Sequence, residues 1–252
     1  MSIHPSAIIE DGVQLGAGCV VQAYAIIKKH SVLGEGVVVH PFAVIGGDPQ
    51  YLKFDPATAS GVRIGAGTVV REHVTVNRSI HAGQATVIGA RCFLMANVHV
   101  GHDCVVADDV VLANNVMLAG HVQIDGNTFL GGAVAVHQFC RIGEGVMVSG
   151  VARMAQDVPP YVMAAERNEI IGLNLVGLKR RGLSRESIRE IKQAFRTVYF
   201  TPGNIRTVAR AALDTGTYLT TEGQNFLRFF SEGKRGFARA RRAAAAGDDH
   251  GE

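Results

Sequence analysis

Residues Ile88 to Pro159 read in sixes as IGARCF, LMANVH, VGHDCV, VADDVV, LANNVM, LAGHVQ, IDGNTF, LGGAVA, VHQFCR, IGEGVM, VSGVAR and MAQDVP. The first position is Ile, Leu or Val in eleven of these twelve hexads and Met154 in the last. The fifth is Cys, Val, Thr or Ala throughout. A period of six is neither the 3.6 of an amphipathic helix nor the alternation of a half-buried strand. It is the signature of a parallel β-helix, in which each hexad supplies a short strand and a corner and successive coils bury one core.

The reading extends to the N-terminus. From Ile3 the chain runs IHPSAI, IEDGVQ, LGAGCV, VQAYAI, IKKHSV, LGEGVV and VHPFAV, seven hexads in step. Gly16 and Gly34 occupy the second position, where a tight corner is expected to favour a residue free of Cβ constraints. The step fails after Ile45. GGDPQYLKFDPATASG, with Pro49, Pro56 and two aromatics, intervenes, and the pattern resumes at Ile64 shifted by one residue. Residues of about 46–62 are therefore an expected loop insertion, either a binding element on one face or a surface decoration. Val76 to Val87 keeps the count of six, but NRSIHAGQAT is polar and Gly-rich for a regular coil.

The prism is expected to end near Pro159-Pro160, because proline has no N–H for a ladder. This divides the chain into a β-helix over 1–160 and a helical domain over 161–252. Ser184 is placed to cap SRESIREIKQAFRTVYF, with Ile188, Ile191, Phe195 and Val198 on one face. IRTVARAALDTG and TTEGQNFLRFFSEG read as two shorter helices. The tail from Lys234, KRGFARARRAAAAGDDHGE, is expected to fray.

Composition narrows the classes. The chain has 252 residues and no Trp. No apolar run approaches the roughly 18 residues of a membrane span. The start MSIHPSAIIEDG has neither the basic opening nor the apolar core of a signal peptide, so a cytoplasmic protein without membrane insertion is expected. Cys19, Cys92, Cys104 and Cys140 all fall at the fifth, small position of their hexads and read as core residues; no CxxC occurs. Before Pro160 there are 9 basic and 12 acidic residues, and from Pro160 onward 16 basic and 10 acidic. The basic second part suits an acidic partner or a phosphate.

Histidines mark one edge. Three hexads make one coil, so residues 18 apart stack, and VGHDCV, LAGHVQ and VHQFCR lie on one face. They carry His102, His121 and His137. At the usual strand separation of roughly 4.8 Å the three imidazoles line about 10 Å of one edge, with His99 turned to the same corner. Three readings stand: solvated corner residues, a metal site, or catalysis by neutral imidazole, for which Asp103 follows His102 directly. GEG and GAG are corner sequences; no GxxxxGK[ST] phosphate loop or serine nucleophile elbow occurs. With no nucleophile in view, direct transfer assisted by a general base is the simplest chemistry.

VHVGHDCVVADDVVLANNVMLAGHV, GGAVAVHQFCRIGEGVMVSG, MAQDVPPYVMA and GLNLVGLKRRGLSRESI together resemble the UDP-N-acetylglucosamine O-acyltransferases of lipid A biosynthesis, and the likeness covers nearly the whole chain. The resemblance implies a left-handed parallel β-helix with a C-terminal helical domain, a homotrimer with sites between subunits, and no cofactor or metal. It implies transfer of a 3-hydroxyacyl chain from acyl carrier protein to the 3-hydroxyl of UDP-N-acetylglucosamine, with no nucleic-acid partner. His102 then corresponds to the general base, Asp103 to its support and the Gly120 N–H to the oxyanion donor. Gln50, Lys53, His99, His121, His137 and Gln138 correspond to substrate contacts. Asn174, Arg180 and Arg181 correspond to nucleotide contacts, and Met147 and Gly150 to the acyl groove. Lys179, Arg180, Arg181, Arg185 and Arg189 suit an acidic carrier protein by charge alone.

Departures are local. Where the family usually reads QDLKY, this chain has Gln50-Tyr51-Leu52-Lys53-Phe54, so Tyr51 replaces an aspartate that contacts the sugar. Val176 stands where some members have glutamate, and Ser149 replaces a glycine. An N-acyltransferase on a UDP-amino-sugar, a metal-dependent hexapeptide enzyme and a non-catalytic binder of UDP-sugar or carrier protein remain the alternatives.

Overall fold

A computed structural model describes residues 1–241. Each hexad contributes a two-residue strand made of its sixth residue and the first of the next, as in Phe93–Leu94, His99–Val100 and Val105–Val106. Strands this short carry no independent stability. They persist because each bonds the coil above and below and turns its first-position side chain inward. Leu94, Val100, Val106, Leu112, Leu118, Ile124, Leu130 and Val136 are all buried, as are the fifth-position residues from Cys92 to Ala152. The strands form three parallel sheets of 11, 8 and 7 strands, here called the first, second and third faces; on the first, the last two strands lie beyond the prism proper.

The left-handed corner conformation falls on the fourth position of the hexad, not the second. Asn97, Asp103, Asp109, Asn115, His121, Asn127 and Phe139 all have φ between 57° and 64°. Asn and Asp tolerate this region better than most residues. The second-position glycines have a different cause. A Cβ on Gly16 would stand 2.6 Å from the Glu35 nitrogen, and one on Gly34 2.7 Å from that of Ala66. The next coil passes too close for a side chain there.

Register follows the step of 18, with Val100 beside Leu118 and Leu118 beside Val136 on the second face. Two excursions break it. Val39 pairs with Val70, a step of 31, and Val70 with Leu94, a step of 24. The first is the expected insertion, with strands Val44–Gly47 and Gly61–Ile64 on either side, so it occupies residues 48–60. The second adds six residues, which is why Val76 to Val87 keeps the hexad count while residues 78–84 leave the prism. Arg78, 4% exposed, ties the excursions together. It donates to Asp48 Oδ1 (2.9 Å), the Pro56 carbonyl (2.9 Å) and the Thr58 carbonyl, and stacks on Phe54.

The prolines do not end the prism. Val158 bridges to Ile142 and Ala164 pairs with Val148, so the final coil is 16 residues long and Val158 occupies a first position. The prolines form a buried corner, and the Val162–Ala165 strand continues the first face. Antiparallel Glu169–Leu173 follows, so the second part does not begin as helix. Then come α1 (Leu175–Arg180), α2 (Arg185–Phe200, capped by Ser184 as expected), α3 (Ile205–Asp214) and α4 (Thr221–Arg228). Phe226 and Phe230 fill the core beneath them. Contrary to expectation, the chain does not fray at Lys234. Arg239–Ala240 adds a parallel strand beside Glu169–Leu173. The rest of the expected frayed tail, 242–252, lies outside the described residues.

This segment is anchored through Asp157, which is fully buried. Its carboxylate accepts from the Arg141 backbone N (2.9 Å) and Nε (2.8 Å), and its main chain exchanges bonds with Gly236 and Ala238. A buried carboxylate is tolerable only when hydrogen-bonded and paired in this way.

Candidate functional site

A cleft of about 800 Å³ lies along the second face. Its floor repeats every 18 residues. His99, Met117, Ala135 and Arg153 are the outward residues of four successive strands, in register. Met117 and Ala135 make an apolar stretch between a histidine and an arginine. Sequence reasoning missed Met117, Ala135 and Arg153, although the arithmetic that stacked the histidines places them. It also missed Asn77 and Arg167 in the wall, which no repeat predicts.

Gln50, His99, His102, Gly120, His137 and Gln138 line this cleft. His102 Nδ1 is 2.7 Å from Asp103 Oδ2. The carboxylate accepts, so Nδ1 carries the proton and Nε2 offers its lone pair. Asp103 is held in turn by the Ser79 hydroxyl and the Ile80 N–H (3.2 Å), both from the second excursion, while Thr86 Oγ1 accepts from its backbone N (2.8 Å). Burial pushes the Asp103 carboxyl up, but the donors Ser79, His102 and Ile80 outweigh it and hold the group below the usual carboxylate range.

Gly120 faces the imidazole edge. A Cβ there would lie 2.6 Å from His102 Cε1 and Nε2, so no side chain fits. Its N–H donates to no backbone carbonyl among the described residues. His99 Nδ1 is 2.8 Å from Thr75 Oγ1, and burial lowers the His99 pKa. Tyr51, whose ring centre is 6.4 Å from that of His102, brings the first excursion over the cleft mouth.

Other expected residues lie elsewhere. His121 stands behind Asp103, its Nε2 3.9 Å from the carboxylate, stacked on Phe139 in an adjoining hollow with Lys234. Burial lowers its pKa, against the pull of Asp103. His102, Asp103 and His121 offer three atoms within 4.8 Å of one another, a geometry open to a metal ion as well as to proton transfer. Lys53 is exposed on the first excursion and is not a lining residue. Met147 belongs to the first face and Gly150 to the corner that follows it. Asn174 caps α1 through Oδ1 and donates to the Gly145 carbonyl (3.0 Å). Arg181 pairs with Glu144, and Arg180 is exposed beside it. None of these seven residues lines the cleft of the same chain.

The first and third faces differ outside. The outward row of the first opens with Ser2 and then reads Val20, Val38, Val69, Phe93, Val111, Phe129, Met147 and Met163, apolar from Val20 onward. The outward row of the third includes Gln14, Arg63, Gln123 and Arg141. No described helix is long and apolar enough to cross a membrane.

Known proteins resemble this chain in sequence and fold. The family model described as Udp N-acetylglucosamine O-acyltransferase, domain 2, matches residues 157–238, and the bacterial transferase hexapeptide model matches 12–47 and 85–120. The acyl-[acyl-carrier-protein]–UDP-N-acetylglucosamine O-acyltransferase of an Anaeromyxobacter species is 37% identical, over 95% of this chain and all of that protein. The enzyme of the same description from Campylobacter jejuni strain RM1221 is 40% identical over 93% of this chain and 95% of its own. A solved UDP-N-acetylglucosamine O-acyltransferase from Moraxella catarrhalis superposes with a TM-score of 0.85 at 34% identity, over 95% of this chain and all of that one. The prism is therefore the left-handed parallel β-helix of those structures, and this chain belongs to the UDP-N-acetylglucosamine O-acyltransferase family.

Proposed function

We propose that this protein transfers a 3-hydroxyacyl chain from acyl carrier protein to the 3-hydroxyl of UDP-N-acetylglucosamine, the first step of lipid A biosynthesis. The observation that carries the chemistry is the Ser79–Asp103–His102 chain of hydrogen bonds ending at a free Nε2 beside Gly120. His102 Nε2 takes the proton of the sugar hydroxyl as its oxygen attacks the thioester carbonyl. The Gly120 N–H faces the oxygen on which charge develops. Collapse breaks the C–S bond, and the thiolate leaves with the proton that His102 returns. Asp103 fixes the tautomer and stabilises the transient imidazolium, as a carboxylate behind a catalytic histidine does. Transfer is direct, and no covalent enzyme intermediate or cofactor is required.

The active unit in this reading is a homotrimer in the cytoplasm. Support comes from the apolar outward row of the first face and from the division of the expected site. His102 and Gln50 line the cleft along the second face, whereas Met147 lies on the first face, Gly150 at the corner that follows it and Arg181 beside its Glu144 corner. A threefold arrangement sets the first face of one copy against the second face of the next. There Met147 and Gly150 bound the acyl groove, Asn174, Arg180 and Arg181 meet the nucleotide, and Lys53 and His121 complete the substrate contacts. Basic residues around Lys179 and Arg189 receive the acidic carrier protein.

Incubation of the protein with UDP-N-acetylglucosamine and a panel of 3-hydroxyacyl carrier proteins, followed by mass detection of acylated nucleotide sugar, tests the reading. Product is expected for one chain length. No product with any donor, together with transfer to a UDP-amino-sugar, moves the reading to N-acylation. Gly150→Leu is expected to shift the preferred acyl chain to a shorter one, and an unchanged profile removes Gly150 from the groove.

A further inference from the structure

Lys234 to Ala240 returns from the helical domain to the lower lip of the cleft. Its path is set by hydrogen bonds from Arg206, Arg141 and Asp157. Arg206 donates to the carbonyls of Phe230 (3.1 Å), Glu232 (3.0 Å) and Gly233 (2.6 Å), Arg141 to those of Phe229 and Glu232, and Asp157 N to that of Gly236. Arg235, half-buried between these anchors, reaches the second face. Its Nη2 is 2.6 Å from His137 Nδ1 and its Nε donates to the Gln138 carbonyl at 2.8 Å.

Guanidinium has donors only, so the His137 nitrogen it meets must accept. The Gln138 carbonyl is also 3.3 Å from that nitrogen, but it already receives Arg235 Nε at the shorter distance. The Nδ1 lone pair therefore belongs to Arg235, and the proton of the neutral ring sits on Nε2. His102 is set the opposite way, with its proton on Nδ1 toward Asp103. Two imidazoles in one cleft thus present opposite faces to a ligand, one an acceptor and one a donor.

We infer that Arg235 is a positioning residue: by holding His137 as the Nε2–H tautomer it fixes a hydrogen-bond donor in the wall of the cleft for a carbonyl or phosphate oxygen of the bound substrates. The inference rests on the proposed transferase reading for its kinetic consequence and on the Arg235–His137–Gln138 geometry for its structural one.

The first arm needs no turnover. Nitrogen-15 spectra of histidine-labelled protein, with the His137 signal identified by its loss in His137→Phe, report the tautomer. Nε2–H is expected in the parent and in Arg235→Lys, which keeps a donor, and a shift toward Nδ1–H in Arg235→Leu. A parent already in the Nδ1–H form, or a tautomer unmoved in Arg235→Leu, overturns the inference. The second arm is kinetic. Arg235→Leu is expected to raise the KM of one substrate about tenfold, the worth of one ligand hydrogen bond, with kcat changed less than about threefold. In a His137→Phe background the same substitution should add nothing. A KM effect on the carrier-protein donor places the oxygen in the thioester arm, and one on the nucleotide sugar places it there. Effects that multiply across the two positions assign Arg235 a merely structural role and refute the inference. If the parent shows no transfer at all, the functional reading falls, while the tautomer comparison still decides this one.

Discussion

The regular coils from Ile88 to Val148 and the irregular segments at 48–60, 78–84 and 229–241 divide the labour unequally. The coils place His99, Met117, Ala135, His102 and Gly120 by repetition, at fixed rungs of a stack whose core is aliphatic and cysteine apart from Thr128. The irregular segments hold no comparable core of their own. They supply the groups that fix orientation: Ser79 and Ile80 on Asp103, Arg78 beneath the loop that carries Gln50 and Tyr51, and Arg235 on His137. A solenoid sets side chains at a spacing. Asp103 sets the His102 tautomer from within the same coil, whereas the tautomer of His137 and the hold on Asp103 come from residues that leave the solenoid.

The largest effect should come from the regular part. His102→Ala is expected to cut turnover at least about a hundredfold while substrate binding survives, because general-base assistance is lost and little else. Comparable turnover in a coupled thiol-release assay would remove His102 from the chemistry. The comparison is next tested at its most buried irregular contact. Arg78→Ala leaves the Pro56 and Thr58 carbonyls without their donor and Asp48 without its cation, and should destabilise the protein by roughly 3 kcal/mol. Denaturant unfolding reads this, and a loss below about 1 kcal/mol would show that the excursions are held by something else.

Ser79→Ala should be milder, a several-fold fall in kcat, with a signature in pH. Asp103 has a folded pKa below its unfolded value, so its charge stabilises the fold above the ordinary carboxylate range, and that stability is lost as pH falls through the folded value. Removing the Ser79 donor raises the folded pKa. Acid unfolding and the acid limb of the rate profile should both move to higher pH. Movement to lower pH, or none, would deny Ser79 its hold on Asp103. The smallest effect belongs to the core. Burial pushes the Cys104 thiol up to about 12, and all four cysteines are buried and free. None should react with a thiol reagent in the native protein, and rapid labelling without loss of structure would contradict the burial.

Much of this is legible in the residues. The period of six, the buried fifth position and the step of 18 follow from the need of every coil to cover its neighbours, so they are written in each hexad and suffice to place the second face. The His102–Asp103 pair is readable as neighbours in sequence. Misreadings fall where a non-repeating contact intervenes. Glycine at the second position looks like corner geometry but answers to the close passage of the next coil. Pro159-Pro160 looks like a stop, yet their corner requires no ladder donor there and the first face continues through Val162. The segment from Lys234 is too polar to read as ordered, since its order comes from Asp157, Arg141 and Arg206, far away in sequence.

The sequence alone determined a stack of short strands with a histidine-bearing edge, because hydrophobic periodicity is a local property that every coil repeats. Tertiary structure alone decided which nitrogen of His137 faces the cleft, which excursion residues hold Asp103, and that the C-terminal segment closes the lip. Those outcomes depend on single hydrogen bonds between residues 23 to 98 positions apart, and no period encodes such a bond.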